Sequence, residues 1–286
     1  MGTMNGFEID CELNYEVLNP SVFVFNIEAA KTPEQRVLRE QFTVAPDLVV
    51  DRYSDAMGNR FARLQALPGP VSVRYTAIAT VEGTSHPVDR SQTSVADLPA
   101  SVMPFLLASR YCESDAVFSL ATRHFGALAS DYDRVVAIGE WIRSNIDYAT
   151  GTSLPHGTAR DVLLHHTGVC RDFAHVAIAL CRALNIPARF VTGHVQWDTP
   201  PPDFHAIYEA YVGGQWVLFD PTAMALTQNV VRIGTGRDAA DVSFATMFGA
   251  VRSSAPLVQI EALEDPANGF LRPWHSPDAL SSMPAA

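Results

Sequence analysis

The apolar pattern of this chain changes period once along its length, and that change limits the folds open to it. Phe7, Ile9, Cys11, Leu13, Tyr15 and Val17 alternate with Glu8, Asp10, Glu12, Asn14 and Glu16. A period of two marks a half-buried strand. Pro20 interrupts, 22–27 is strand-like again, and further runs cover 37–44, 48–53, 59–67 and 71–81. Their breaks fall at Pro46, at Met57-Gly58-Asn59 and at Pro68-Gly69-Pro70, all turn signals. Such spacing predicts an antiparallel sandwich ending near Gly83. The stretch 84–100, with Pro87 and Pro99, reads as a crossing segment. Over 102–110, 116–125 and 134–146 apolar residues recur three and four apart instead, which predicts helices. Strands first and helices afterwards predict an α+β fold. The expected division is an N-terminal antiparallel β-sandwich over 1–85, a second domain over 86–263, and an irregular tail over 264–286 that is rich in Pro, Ser and Ala.

One stretch of the second part carries chemistry. Gly168-Val169-Cys170-Arg171-Asp172-Phe173-Ala174-His175 opens a helix whose apolar face is Phe173, Val176, Ala177, Leu180 and Leu184. Gly168 is expected to let the backbone turn sharply. Asn185 can take a left-handed cap, and Pro187 cannot continue the helix. Cys170 therefore lies in or beside the first turn, where orphan N–H groups and the helix dipole favour a thiolate. A lone cysteine is more often a small buried hydrophobe, so the assignment needs partners.

The partners come from a hairpin. Residues 203–212 and 215–222 are strand-like and flank Gly213-Gly214, a two-residue loop signal. In that register Val212 faces Gln215 and Ile207 faces Asp220. His205 shares a face with Ile207, so His205 and Asp220 become diagonal neighbours with Cα atoms about 7–8 Å apart. Pro221 ends the pairing and leaves Asp220 at the strand terminus. Cysteine, histidine and carboxylate make a nucleophile, a base and the group that orients the base.

These motifs, together with Pro187-Ala188-Arg189, His205-Ala206 and Asp220-Pro221-Thr222, resemble the transglutaminase-like superfamily, and within it a bacterial cytoplasmic branch of candidate cysteine peptidases. The resemblance extends to Asp55–Asn59, to the run from Arg110 to Asp115, and to the run from Gly236 to Asp241. It implies a β-sandwich followed by a papain-like α+β core, with Cys170 as nucleophile, His205 as general base and acid, and Asp220 as orienter. It further implies that Tyr111 and Arg237-Asp238 lie near the cleft, to bind substrate or to brace the core. His175 is about 140° round the helix from Cys170, and is expected to pack behind the site or to touch substrate. Many relatives carry Trp where this chain has Ile207, a departure expected to alter the acyl pocket and open its acceptor side. The backbone N–H of Cys170 is expected to serve an oxyanion hole; its second donor has no signature.

Composition narrows the function classes. The formal net charge of −11 and the lack of basic runs argue against a nucleic-acid partner. No apolar stretch is long enough to cross a bilayer, and Met1–Asp10 has neither the basic region nor the apolar core of a leader. Cys11, Cys112, Cys170 and Cys181 are too few and too scattered for a disulfide scaffold, and no CxxC pair points to zinc. The expectation is a cytoplasmic enzyme without metal or cofactor. It would act on a peptide or amide-bearing substrate through a thioester, with hydrolysis as the first outcome. Acyl transfer to an amine and a non-catalytic binding role are the alternatives.

Overall fold

The computed structural model describes residues 3–83, 89, 93–152, 154, 156–196, 203–264 and 281–282. Six strands come first: β1 (Thr3–Val17), β2 (Ser21–Phe25), β3 (Gln35–Ala45), β4 (Val50–Ser54), β5 (Arg60–Ala66) and β6 (Gly69–Gly83). Each overlaps a run of period two. Their inward residues meet in one aromatic core, where Tyr15, Phe23 and Phe25 pack ring to ring with centroids 5.1–5.9 Å apart. Of the crossing segment 84–100, residues 84–88, with His86, and 90–92 lie outside the described residues, and Val95–Asp97 forms a 3₁₀ turn. Beyond it, the helix expected over 102–110 is only a 3₁₀ turn, Met103–Leu106. Pro104 sits in its first positions, where a missing N–H costs nothing.

The second part alternates helices and short strands. These are α1 (Phe118–Phe125), α2 (Asp131–Asn145), β7 (Asp147–Tyr148), α3 (Ala159–His165), β8 (Thr167–Gly168) and α4 (Cys170–Ala183). Ser130 caps α2 through the N–H of Asp133, and Thr158 with Asp161 forms a capping box on α3. Then follow β9 (Ala188–Val195), β10 (Phe204–Val212), β11 (Gln215–Phe219), β12 (Val230–Gly236), β13 (Ala245–Phe248), β14 (Val251–Ser253), β15 (Leu257–Leu263) and β16 (Ser281–Ser282). A five-stranded sheet runs β12-β9-β10-β11-β16. Helix α4 lies against it among the other helices, and every residue from Asp172 to Ala183 is buried. A helix enclosed all round forms the centre of a core. Asn185 has φ 62°, the left-handed cap expected at the end of α4.

The chain does not divide at one point. Strands β14 and β15 lie along the outer edge of β1, and β13 pairs with β2. The sandwich is therefore β14-β1-β6-β3, with β15 also on β1, packed on β13-β2-β5-β4. The second domain expected over 86–263 gives its last three strands to the first. The reason is an edge: β1 would otherwise leave a long row of unpaired backbone groups exposed. The tail expected over 264–286 falls mostly outside the described residues, but Ser281–Ser282 pairs with Trp216 and Val217.

Two side-chain amides join the parts along β12. The Gln35 amide accepts from the N–H of Arg232 at 2.7 Å and donates to its carbonyl at 2.8 Å. The Asn59 amide does the same for Thr235, at 2.8 Å each way. Each mimics a neighbouring strand, so the edge of the core sheet is closed by side chains of the sandwich. His194 adds a third tie, with Nε2 3.0 Å from the carbonyl of Ile27.

Candidate active site

Cys170 is the first residue of α4 and is half-buried. The Oδ2 of Asp172 accepts the N–H of Val169 at 3.0 Å, which fixes the helix start. Gly168 is needed here for space and not for an unusual turn. Its φ is not among the positive values, and a Cβ on it would stand 2.7 Å from the Cβ of Asp172.

The hairpin has the expected register, with Val212 facing Gln215 and Tyr208 facing Phe219. One step beyond the last pair, the Oδ2 of Asp220 meets the Nε2 of His205 at 3.1 Å. The carboxylate is held by further donors. Its Oδ1 accepts the N–H and hydroxyl of Thr222 at 2.8 and 2.7 Å, and its Oδ2 accepts the N–H of Ala225 at 2.8 Å. Burial alone would push the Asp220 carboxyl up; His205 and these donors outweigh it and hold the carboxyl below its ordinary value. For His205, burial pulls the imidazole down. The hydrogen bond and charge of Asp220, joined by the Cys170 thiol within hydrogen-bonding reach, raise it to about 10. With Nε2 turned to Asp220, Nδ1 is the nitrogen available to the sulfur. The cluster can hold a thiolate beside an imidazolium.

Tyr148 completes the cluster, and no spacing in the sequence announces it. The parallel pair β7–β8 sets Tyr148 opposite Gly168. Its hydroxyl meets both the backbone and the thiol of Cys170; burial first, and then the sulfur, push it up to about 12. Its ring packs edge-on to Phe173, with centroids 5.6 Å apart. A polar aromatic just past a helix end was the available signal, but only the strand pairing links residue 148 to residue 170.

Of the other expected residues, Tyr111 reaches the cleft. His175 is completely buried, with its ring stacked on Tyr111 at 5.1 Å and its Nε2 accepting the N–H of Ala239 at 3.2 Å. Burial, with the cations of Arg171 and Arg182, holds it well below its ordinary value. Asp238 is buried too, and its carboxylate accepts the N–H of Tyr111 at 2.9 Å. Arg237 faces solvent and pairs with Asp241 at 3.0 Å. None of these three lines the cleft; His175 and Asp238 brace Tyr111. Sequence reading passed over Arg182, whose buried guanidinium donates to the carbonyls of Leu107, Ala188 and Arg237 and to the hydroxyl of Ser109 at 2.6–3.0 Å. Ile207 does not shape the acyl pocket either. It is fully buried with Val191, Val195 and Leu218, away from the cleft.

The cleft holds about 500 Å³ and is lined by Cys170, His205 and Tyr111 together with Phe204, Phe244 and Pro256. Phe244 and Pro256 flank the returning strands, so the segment that completes the sandwich also walls the site. Among the described residues no group of three His, Cys, Asp or Glu is placed to hold a metal ion, and no helix is long and apolar enough to cross a membrane.

Comparison with known proteins agrees with this architecture. Residues 119–221 match the model of the transglutaminase-like superfamily, and residues 5–101 match that of the bacterial transglutaminase N-terminal domain. A solved structure from Cytophaga hutchinsonii, described as a candidate cysteine protease, is 38% identical with a TM-score of 0.89, covering 97% of this chain and 96% of that one. An uncharacterised protein of Mycobacterium leprae is 27% identical over 246 residues, or 80% of this chain and 88% of that protein. An uncharacterised protein of Mycobacterium tuberculosis is 34% identical over 115 residues, covering 35% of this chain and 37% of its own length.

Proposed function

The chain belongs to the transglutaminase-like superfamily, and on that premise we propose that it is a thiol-dependent hydrolase of amide or isopeptide bonds. The observation that carries the reading is the buried His205–Asp220 pair with the Cys170 thiol in reach of the imidazole. Cys170 is the nucleophile, His205 the general base and acid, and Asp220 the group that fixes the ring. The thiolate adds to the amide carbonyl, whose π pair moves to oxygen. The N–H of Cys170 donates to that oxyanion, and the Tyr148 hydroxyl turns from Cys170 to give the second hydrogen bond. Collapse expels the amine, which takes a proton from His205 and leaves a thioester. The neutral imidazole then draws a proton from water, the oxygen attacks the thioester, and the carboxylic acid departs as the thiolate re-forms.

Hydrolysis is favoured over transfer because Cys170 is half-exposed in an open cleft, where water reaches the thioester. A full-length relative described as a candidate cysteine protease supports the same choice. Four free cysteines suit a reducing compartment, and we assign the enzyme to the cytoplasm, acting on peptide or amide-bearing substrates.

The test begins with labelling. Cys170 should react with iodoacetamide near neutral pH orders of magnitude faster than the other thiols. Burial pushes Cys112 up to about 12 and Cys11 and Cys181 higher still, which suppresses their thiolates. Mass spectrometry after incubation in cell extract should then find an acyl group on Cys170. With the donor known, a primary amine is titrated and both products measured. Amide exceeding free acid at low millimolar amine would replace the hydrolase by an acyltransferase. Equal labelling of all four thiols, with no adduct, would leave a non-catalytic binding protein.

A further inference from the structure

The cleft carries a carboxylate that the hydrolytic cycle does not use. Asp203 lines it with Cys170 and His205, immediately before β10. Its Oδ1 accepts the N–H of Phe204 at 2.7 Å, and among the described residues no Lys or Arg forms an ion pair with it. Arg171, the other charged side chain on the wall, is turned to the carbonyl of Leu154 at 2.9 Å and to Asp172 at 3.4 Å. The Asp203 carboxylate is near enough to the Tyr148 hydroxyl and to His205 for its charge to act on both. Partial enclosure pushes its own carboxyl above the ordinary range. Asp203 is exposed where it lines the cleft, with His205 as the cation that acts on it, so its charge is presented to an entering ligand.

The surroundings say what kind of ligand. Phe204 stacks on Phe244 with centroids 4.7 Å apart and planes 15° apart, and both rings line the cleft beside Asp203. Flat apolar wall next to a carboxylate complements an alkyl stem that ends in a cation. We propose that Asp203 is a specificity determinant, selecting amide substrates that carry an ammonium or guanidinium group on an alkyl stem, as a Lys- or Arg-containing peptide does. The net charge of −11 draws such substrates in at longer range. This rests on Cys170 being the nucleophile.

Charged thiol reagents test it without a known substrate. A methanethiosulfonate reacts by attack of the Cys170 thiolate on its sulfenyl sulfur. A mixed disulfide forms, methanesulfinate leaves, and no oxidant is required. Rates are compared for the aminoethyl (cationic), sulfonatoethyl (anionic) and methyl (neutral) reagents, each divided by its rate with free mercaptoethanol. The cationic-to-neutral ratio should exceed that of the free thiol about fivefold, as one charge within ~4 Å in a wet site provides. It should fall toward unity in Asp203→Asn and shrink as salt rises. Glu261→Gln, exposed on β15, removes the same net charge at a distance and should leave the ratio as it was. An unchanged ratio in Asp203→Asn, or an equal drop in Glu261→Gln, overturns the proposal. A Cys170 inert to the neutral reagent overturns the nucleophile assignment and takes the proposal with it, so the two failures are told apart.

Discussion

Two histidines on neighbouring strands, His205 on β10 and His194 on β9, are equally inaccessible, at 1% and 0% exposure. Their charge states differ. His205 faces Asp220 and is raised to about 10; His194 faces a backbone carbonyl, and burial lowers it to about 4. The ring of His194 lies between aromatic neighbours, Tyr75 at 6.4 Å and Phe204 at 5.4 Å. Depth therefore does not decide the state of a buried imidazole; the group opposite it does. One histidine is fitted to hold a proton for chemistry, and the other to remain neutral in the seam between the two parts.

The sharpest way to break the contrast is to remove the carboxylate. Asp220→Asn should give His205 the character of His194. Turnover should fall roughly 10- to 10⁴-fold, with the fold retained. His205→Ala should do at least as much. In the native protein, Cys170 alkylation should change on the alkaline side as the imidazolium is lost near pH 10; in Asp220→Asn that inflection should move down. An Asp220→Asn protein with native turnover would reduce Asp220 to a turn residue.

A smaller effect follows from pH and stability. The folded-state value of His194 is depressed, to about 4, from an unfolded value near 6.5. Its contribution to stability is therefore complete above pH ~6.5 and is lost as pH falls through about 4, a change of about 3 kcal/mol. His205 has the reverse sign: its contribution is complete below pH ~6.5 and is lost as pH rises through about 10. Urea midpoints should therefore fall between pH 6.5 and 4 more steeply in the native protein than in His194→Phe. Identical slopes would show that another group drives acid unfolding.

The smallest effect belongs to the seam itself. Asn59→Ala strands the N–H and carbonyl of Thr235, and should lower unfolding free energy by about 1–3 kcal/mol. Iodoacetamide labelling of Cys170 should keep its native rate, since the cluster around the sulfur does not include β12. A large loss of labelling would mean that seam and site are one cooperative unit.

What could be read from the residues alone was what local rules control. Period-two alternation located the first six strands to within a few residues, because each strand has one wet and one dry face. The Gly-Gly loop fixed the hairpin register and so brought His205 to Asp220. Three things were not legible. Tyr148 depends on a two-residue parallel pair between segments with no shared pattern. The return of residues 245–263 to the sandwich depends on an open edge at β1, which no window around residue 250 contains. Ile207 shares the face of His205, but two residues further along β10 it packs with Val191, Val195 and Leu218 and not in the cleft, a burial that position in the motif does not reveal.

The returning strands also bear on how this protein is made. During synthesis β1 emerges long before its outer partners β14 and β15. At ~5–20 residues per second the ribosome needs on the order of ten seconds to a minute to supply them. Through that interval the nascent chain carries an unpaired strand edge and an incomplete sandwich, the state in which a chaperone or a neighbouring nascent chain can engage it. The wall of the cleft made by Phe244 and Pro256 is laid down within the same late segment, so a chain released before it would carry Cys170, His205 and Asp220 yet have no complete site in which to use them.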